Sequence, residues 1–180
     1  MEGYRLNLVL SREQIASLVQ GLADQISNDY NGRELVLVCI LKGAFMFLSD
    51  LVRYLKIPVK IDFVRLASYG SGMKSSGNIE ITKDIELPIE GKDVLIIEDI
   101  IDSGHTLQFL KDRITLSNPR SVKICALLDK KARREVEMKA DYLGIEVDDV
   151  FIVGYGIDFN ENYRYLPEIY YVTTINHPTK

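Results

Sequence analysis

The segment Leu35-Val36-Leu37-Val38-Cys39-Ile40-Leu41 is apolar at every position over the length of one strand. A strand with one wet face alternates apolar and polar residues, so a run with no polar face demands cover on both sides. Residues 93–97 and 122–128 read as two more strands of this kind. The first leads through Lys42-Gly43 into a helical pattern over residues 44–55, in which Phe45, Phe47, Leu48, Leu51 and Leu55 are apolar. The second leads into a helix over residues 107–116 that ends before Asn118-Pro119. Strand and helix alternate, which predicts an α/β fold with a mostly parallel central sheet flanked by helices. Such folds bind ligands beyond the carboxyl ends of their strands.

The remaining segments fit around that sheet. Ser11 and Gln14 have the spacing of a capping box, and Ile15, Leu18, Val19, Leu22 and Ile26 follow at helical intervals until Asn31-Gly32. Residues 59–66 alternate, with Val59, Ile61 and Phe63 set against Lys60 and Asp62, which predicts a half-buried strand with the apolar set inward. Residues 69–78 are polar and glycine-rich and read as a mobile loop. Residues 79–85 read as a short strand beyond it. Ile145, Val147 and residues 150–153 supply more strand, and residues 169–173 close the chain.

Composition narrows the function. The 180 residues, 47% hydrophobic and 27% charged, fit one globular domain. A net charge of −4 weighs against broad nucleic-acid binding. No apolar run approaches the roughly 18 residues that span a bilayer, and the segment before Ser11, with Glu2 and Arg5, lacks a signal-peptide core. A cytoplasmic protein with no membrane partner is expected. Cys39 and Cys125 each lie in an apolar run and read as buried free thiols.

The strongest chemical signal follows residues 93–97. The chain there reads Glu98-Asp99-Ile100-Ile101-Asp102-Ser103-Gly104-His105-Thr106. Two adjacent carboxylates and a third at Asp102 precede small residues at the mouth of a helix. Helix N-termini offer unpaired N–H groups and a favourable dipole to a phosphate. Ser103 and Thr106 add hydroxyls. Carboxylates suit sugar hydroxyls or a hydrated Mg²⁺. Read alone, the same turn also serves as an acidic N-cap.

This string resembles the phosphoribosyl-pyrophosphate (PRPP) motif of type I phosphoribosyltransferases. The wider chain, from about Leu35 to Tyr171, is similar to the hypoxanthine–guanine phosphoribosyltransferase family. The resemblance implies a single domain over 1–180, with a core at roughly 30–145 and a small hood from the N-terminal segment and roughly 146–180. It implies that Asp102, Ser103, Gly104, His105 and Thr106 wrap the 5′-phosphate. Glu98 and Asp99 would hold the ribose, partly through Mg²⁺, and Asp102 would handle the purine N7 proton. His105 departs from the pattern, where Lys, Arg or Leu is more usual; its side chain reads as solvated and its backbone amide still serves.

The other matching segments carry further implied roles. Leu41, Lys42 and Gly43 match the pyrophosphate loop, often with a cis peptide between the first two. Arg164 matches an arginine that binds pyrophosphate, a task suited to a guanidinium fork. Ser68 and Tyr69 match the start of a mobile catalytic loop that closes against water. Lys130 would donate to the purine O6, Phe151 would stack on the ring, and the Ile152 backbone would read its edge. Asp158 matches a second Mg²⁺ ligand. Arg134 reads as part of a solvated basic face.

The function these residues imply is purine salvage: a 6-oxopurine (hypoxanthine and/or guanine) and PRPP give the purine 5′-mononucleotide and pyrophosphate, with Mg²⁺. A homodimer or homotetramer is implied by the family alone. Two other readings stand beside this one. The first is a PRPP-fold regulatory or RNA-binding module with little catalysis, against which the acidic balance weighs. The second is an adenine or pyrimidine phosphoribosyltransferase, against which Lys130 and the Phe151 segment weigh.

Overall fold

A computed structural model describes residues 4–68 and 79–174. In chain order the described elements are β1 (Tyr4–Leu10), α1 (Arg12–Asp29), β2 (Leu35–Leu41), α2 (Phe45–Tyr54), β3 (Val59–Ser68), β4 (Ile79–Lys83) and β5 (Asp93–Ile101). Then come α3 (His105–Thr115), β6 (Ser121–Asp129), a 3₁₀ turn (Lys131–Arg133), β7 (Tyr142–Glu146), β8 (Ile152–Val153) and β9 (Ile169–Thr174). Tyr69 and the glycine-rich stretch that follows it lie outside the described residues.

The larger sheet has the order β4-β3-β2-β5-β6-β7, parallel except for β4 at one edge. From β2 the chain crosses through α2 outward to β3. From β5 it crosses through α3 outward in the other direction to β6. The strand order therefore reverses between β2 and β5, and a crevice opens beyond the carboxyl ends of those two strands.

The unbroken apolar runs find cover on both faces. Leu35, Leu37 and Cys39 of β2 and Leu95 and Ile97 of β5 share one buried cluster with Ile15, Val19 and Leu22 of α1 and Phe47, Leu48 and Leu51 of α2. Val36, Val38, Val94 and Ile96 pack in the other cluster with Leu107, Leu110 and Ile114 of α3. Each such side chain contributes about 1.5–3 kcal/mol on burial. Cys39 and Cys125 are both buried and free, and burial pushes both thiols up. The capping box forms as the spacing predicts: the Gln14 amide donates to Ser11 Oγ at 3.3 Å, and the Ser11 amide donates to Gln14 Oε1 at 2.8 Å.

The smaller sheet, β1-β9-β8, is antiparallel and joins the two ends of the described chain. Beside it, edge-to-face rings run from Tyr4 to Phe159 to Phe151, with centroids 5.5 and 5.1 Å apart. Among the described residues no helix is long and apolar enough to cross a membrane.

The alternation in β3 holds at Val59 and Phe63, which pack against the core, and at exposed Lys60, but it fails at Ile61 and Asp62. Ile61 is 41% exposed, whereas Asp62 is buried at 6%. Asp62 lies on the face covered by residues 84–89, whose turn would otherwise bury unpaired amides. Its carboxylate accepts from the Glu86 and Leu87 amides at 2.7 and 2.8 Å, and from Phe63 at 2.7 Å. Strand β7 starts at Tyr142, ahead of the apolar Ile145, because its buried face is built from Tyr142 rather than Val147.

Candidate active site

Glycines set the geometry of the crevice. The Leu41–Lys42 peptide is cis. The next residue, Gly43, lies directly on the Asp99 carboxylate: a Cβ there would stand 1.8 Å from Oδ2. Gly156, at φ 99°, lies in turn on Gly43, where a Cβ would stand 2.2 Å from the Gly43 carbonyl oxygen. These contacts stack the 154–158 segment, the Lys42–Gly43 turn and the acidic end of β5.

The turn after β5 forms the second wall. Gly104 caps α3 with φ 90°, a left-handed backbone that glycine adopts without steric cost. A Cβ on Gly104 would also meet Val136 Cγ2 at 2.7 Å. The Gln108 amide makes the first bond of the helix, to the Gly104 carbonyl at 2.9 Å. The amides before it have no intrahelical acceptor, which makes this end receptive to an anion. Glu98, Ile100, Ile101, Asp102, Ser103, Gly104, Thr106 and Leu107 enclose a cleft of about 130 Å³. The Glu135 and Val136 amides donate to the Ser103 carbonyl at 3.0 and 3.3 Å and brace the turn from behind. The His105 side chain is exposed to solvent, as expected, and at the surface it pairs with the Glu135 carboxylate at 2.9 Å.

Three carboxylates meet here in different surroundings. Glu98 and Asp99 are buried, with exposures of 8% and 9%. Burial, and then the neighbouring Asp99 charge, pushes the Glu98 carboxyl well up. Burial also raises Asp99, against its hydrogen bonds and the charge of Arg164. Asp102 differs: its Oδ1 is buried without a hydrogen-bond partner among the described residues, and its Oδ2 lies 3.5 Å from Arg133 Nη1. Arg133 also pairs with Asp149 at 3.1 Å.

Lys130 follows β6 and is 7% exposed, with its amide donating to the Ile101 carbonyl at 2.9 Å. Burial lowers its ammonium, and the Asp102 charge opposes that shift. Phe151 is 50% exposed, whereas Ile152 is buried and paired with Tyr171 of β9. Asp158 accepts from the Arg164 guanidinium at 2.6 Å and from the Glu161 amide at 2.8 Å. Arg164 also donates to the Gly156 carbonyl at 2.7 Å.

Similarity to known proteins follows the same segments. A family model described as the phosphoribosyl transferase domain matches residues 8–160. A hypoxanthine-guanine phosphoribosyltransferase of Aquifex aeolicus is 47% identical over 173 residues, covering 96% of this chain and 97% of its own. The hypoxanthine phosphoribosyltransferase of Escherichia coli is 42% identical over 168 residues, covering 92% and 94%. A crystal structure of a hypoxanthine-guanine phosphoribosyltransferase from Bacillus anthracis superposes with a TM-score of 0.89 at 47% identity, covering 93% of this chain and 98% of that one. The chain belongs to the hypoxanthine–guanine phosphoribosyltransferase family.

The phosphoribosyltransferase fold is thus of type I, with a mixed central sheet and flanking helices. The regulatory or RNA-binding alternative finds no support in these relatives, which are transferases by name.

One residue of this phosphoribosyltransferase was misjudged from sequence. The Arg134 side chain is 13% exposed rather than solvated. It pairs with buried Asp129 and donates to the Met138 carbonyl at 2.7 Å. Its Cδ lies 3.3 Å from where a Gly104 Cβ would be, so it packs under the helix cap. The usable signal was an aspartate closing an apolar strand five residues earlier.

Proposed function

We propose that the protein transfers the 5-phosphoribosyl group of PRPP to N9 of a 6-oxopurine, hypoxanthine or guanine, and releases pyrophosphate. The observation that carries this reading is the Gly104 helix cap beside buried Glu98 and Asp99, at the point where strand order reverses. Family membership supports it independently.

Each part of the crevice suits one part of the substrates. The Asp102–Thr106 turn grips the 5′-phosphate through backbone amides and hydroxyls. Glu98 and Asp99 hold the ribose hydroxyls and fix the sugar for in-line attack. Lys42 and Arg164 neutralise the leaving pyrophosphate. Lys130 donates to O6 and favours 6-oxopurines over adenine, whose amino group would leave two donors facing each other. The exposed Phe151 ring stacks on the base, and the Ile152 backbone borders its edge. Asp102, with one oxygen free of partners among the described residues, takes or shares the N7 proton as N9 attacks C1.

The donor set fits Mg²⁺. Among the described residues, Glu98 and Asp99 have no ion-pair partner, and their oxygens are hard ligands. Among those residues there is no cluster of three or more metal ligands. Glu98 and Asp99 would hold Mg²⁺, which when bound supplies positive charge opposite the pyrophosphate oxygens, whereas Asp158, the other expected ligand, is paired with Arg164 and stands apart from them.

The free, buried thiols support a reducing compartment, the cytoplasm. The family supports a homodimer or homotetramer. The deciding experiment is a steady-state comparison of hypoxanthine, guanine, xanthine and adenine with PRPP and Mg²⁺. Turnover of hypoxanthine or guanine and not adenine is expected. Failure with every 6-oxopurine would overturn the reading.

A further inference from the structure

The two cations assigned to the pyrophosphate share one protein anion. Glu161 Oε1 lies 2.9 Å from Lys42 Nζ, and its Oε2 lies 3.5 Å from Arg164 Nη2. One carboxylate thus turns an oxygen toward each of two cations that are 122 residues apart in sequence (164 − 42). An inorganic pyrophosphate held by Lys42 and Arg164 needs the same donors. We propose that Glu161 is an internal counter-anion that competes with pyrophosphate, and with the pyrophosphoryl end of PRPP, for Lys42 and Arg164.

Three observations fit a competitor better than a fixed structural pair. The Glu161 side chain is 66% exposed and Lys42 is 45% exposed, so the carboxylate can swing into water without leaving a buried charge behind. Its backbone is anchored separately. The Glu161 amide donates to Asp158 Oδ2 at 2.8 Å, and φ is 61°, a left-handed conformation that costs a glutamate energy and that the loop nevertheless retains. The loop therefore stays in place whichever way the side chain points. Arg164 keeps Asp158 at 2.6 Å and the Gly156 carbonyl at 2.7 Å, so releasing Glu161 does not free the guanidinium from its position. An exposed glutamate is an anion at neutral pH, so the carboxylate carries the charge that competition needs.

Competition of this kind weakens ground-state binding of the pyrophosphoryl group and speeds release of the product. The inference rests on the proposed function of Lys42 and Arg164, and its test separates the two. Pyrophosphate binding in the presence of Mg²⁺ is measured by calorimetry for the full chain, for Glu161→Gln and for Glu161→Gly, whose φ suits glycine. Both variants are expected to bind pyrophosphate about three- to tenfold more tightly, the scale of exposed ion pairs, with the gap closing at high ionic strength. The KM for PRPP should fall in parallel while the KM for hypoxanthine holds. A structural lesion would move these constants the other way. Unchanged or weaker pyrophosphate binding in both variants would overturn the competition. Tighter binding in a chain that turns over no purine would sustain the competition and overturn the functional reading instead.

Discussion

Gly43 rests on Asp99 so closely that a Cβ at position 43 would fall 1.8 Å from the carboxylate oxygen. This contact ties the turn after β2 to the acidic end of β5, the two strands between which the sheet order reverses. Gly43→Ala must displace the carboxylate or the Lys42 peptide. Because misplacement of about 1 Å can cost about a hundredfold in rate, kcat/KM should fall by about that factor with the far-UV circular dichroism unchanged. Steady-state kinetics with PRPP and hypoxanthine checks this.

Among the described residues, Asp102 has one buried oxygen without a partner and a long contact to Arg133 with the other. If it takes the N7 proton, Asp102→Asn should lower kcat by about 10²-fold or more while the KM for PRPP barely moves. The phosphate-gripping amides are untouched by the change. Unchanged turnover would remove Asp102 from the chemistry.

Lys130 is buried beside Asp102, and burial lowers its ammonium. Lys130→Ala should erode discrimination between hypoxanthine and adenine by about 10²-fold or more, because the donor that opposes a 6-amino group is gone. Ratios of kcat/KM for the two bases provide the measure. Survival of both selectivity and purine affinity would place O6 recognition elsewhere.

Much of this site was legible because its main parts are contiguous. Glu98 to Thr106 form one strand–turn–helix string, and the unbroken apolar run of β2 announces a central strand without reference to anything distant. What escaped was set by contacts across the chain. Gly43 looks like an ordinary turn glycine until Asp99, more than fifty residues later, is laid against it. Arg134 looks like Lys131 and Arg133, and only buried Asp129 and the back of the Gly104 cap distinguish it. Within β3 only Ile61 and Asp62 broke the alternation, because the acceptor role of the Asp62 carboxylate depends on residues 86 and 87 returning over the sheet.

Asp62 also predicts a pH dependence. Burial alone would raise its carboxyl, but the Leu87, Phe63 and Glu86 amides and the Lys83 ammonium hold it below the usual range. A carboxyl lowered by folding contributes stability in full above its unfolded pKa of about 3.9, and loses that contribution as pH falls through the folded value. Asp62→Asn should therefore cost about 1–3 kcal/mol near neutrality, with the difference from the parent shrinking as the pH falls below the unfolded value. Urea unfolding across that range reads it directly. A constant difference would show that the charge is irrelevant.

The central claim concerns where the phosphate sits. A crystal of the protein grown with a purine nucleoside monophosphate and Mg²⁺ should show the phosphoryl group against the amides of Ser103, Gly104, His105 and Thr106, with the ribose toward Glu98 and Asp99. A well-ordered nucleotide whose phosphoryl group is seated away from that turn would contradict the account.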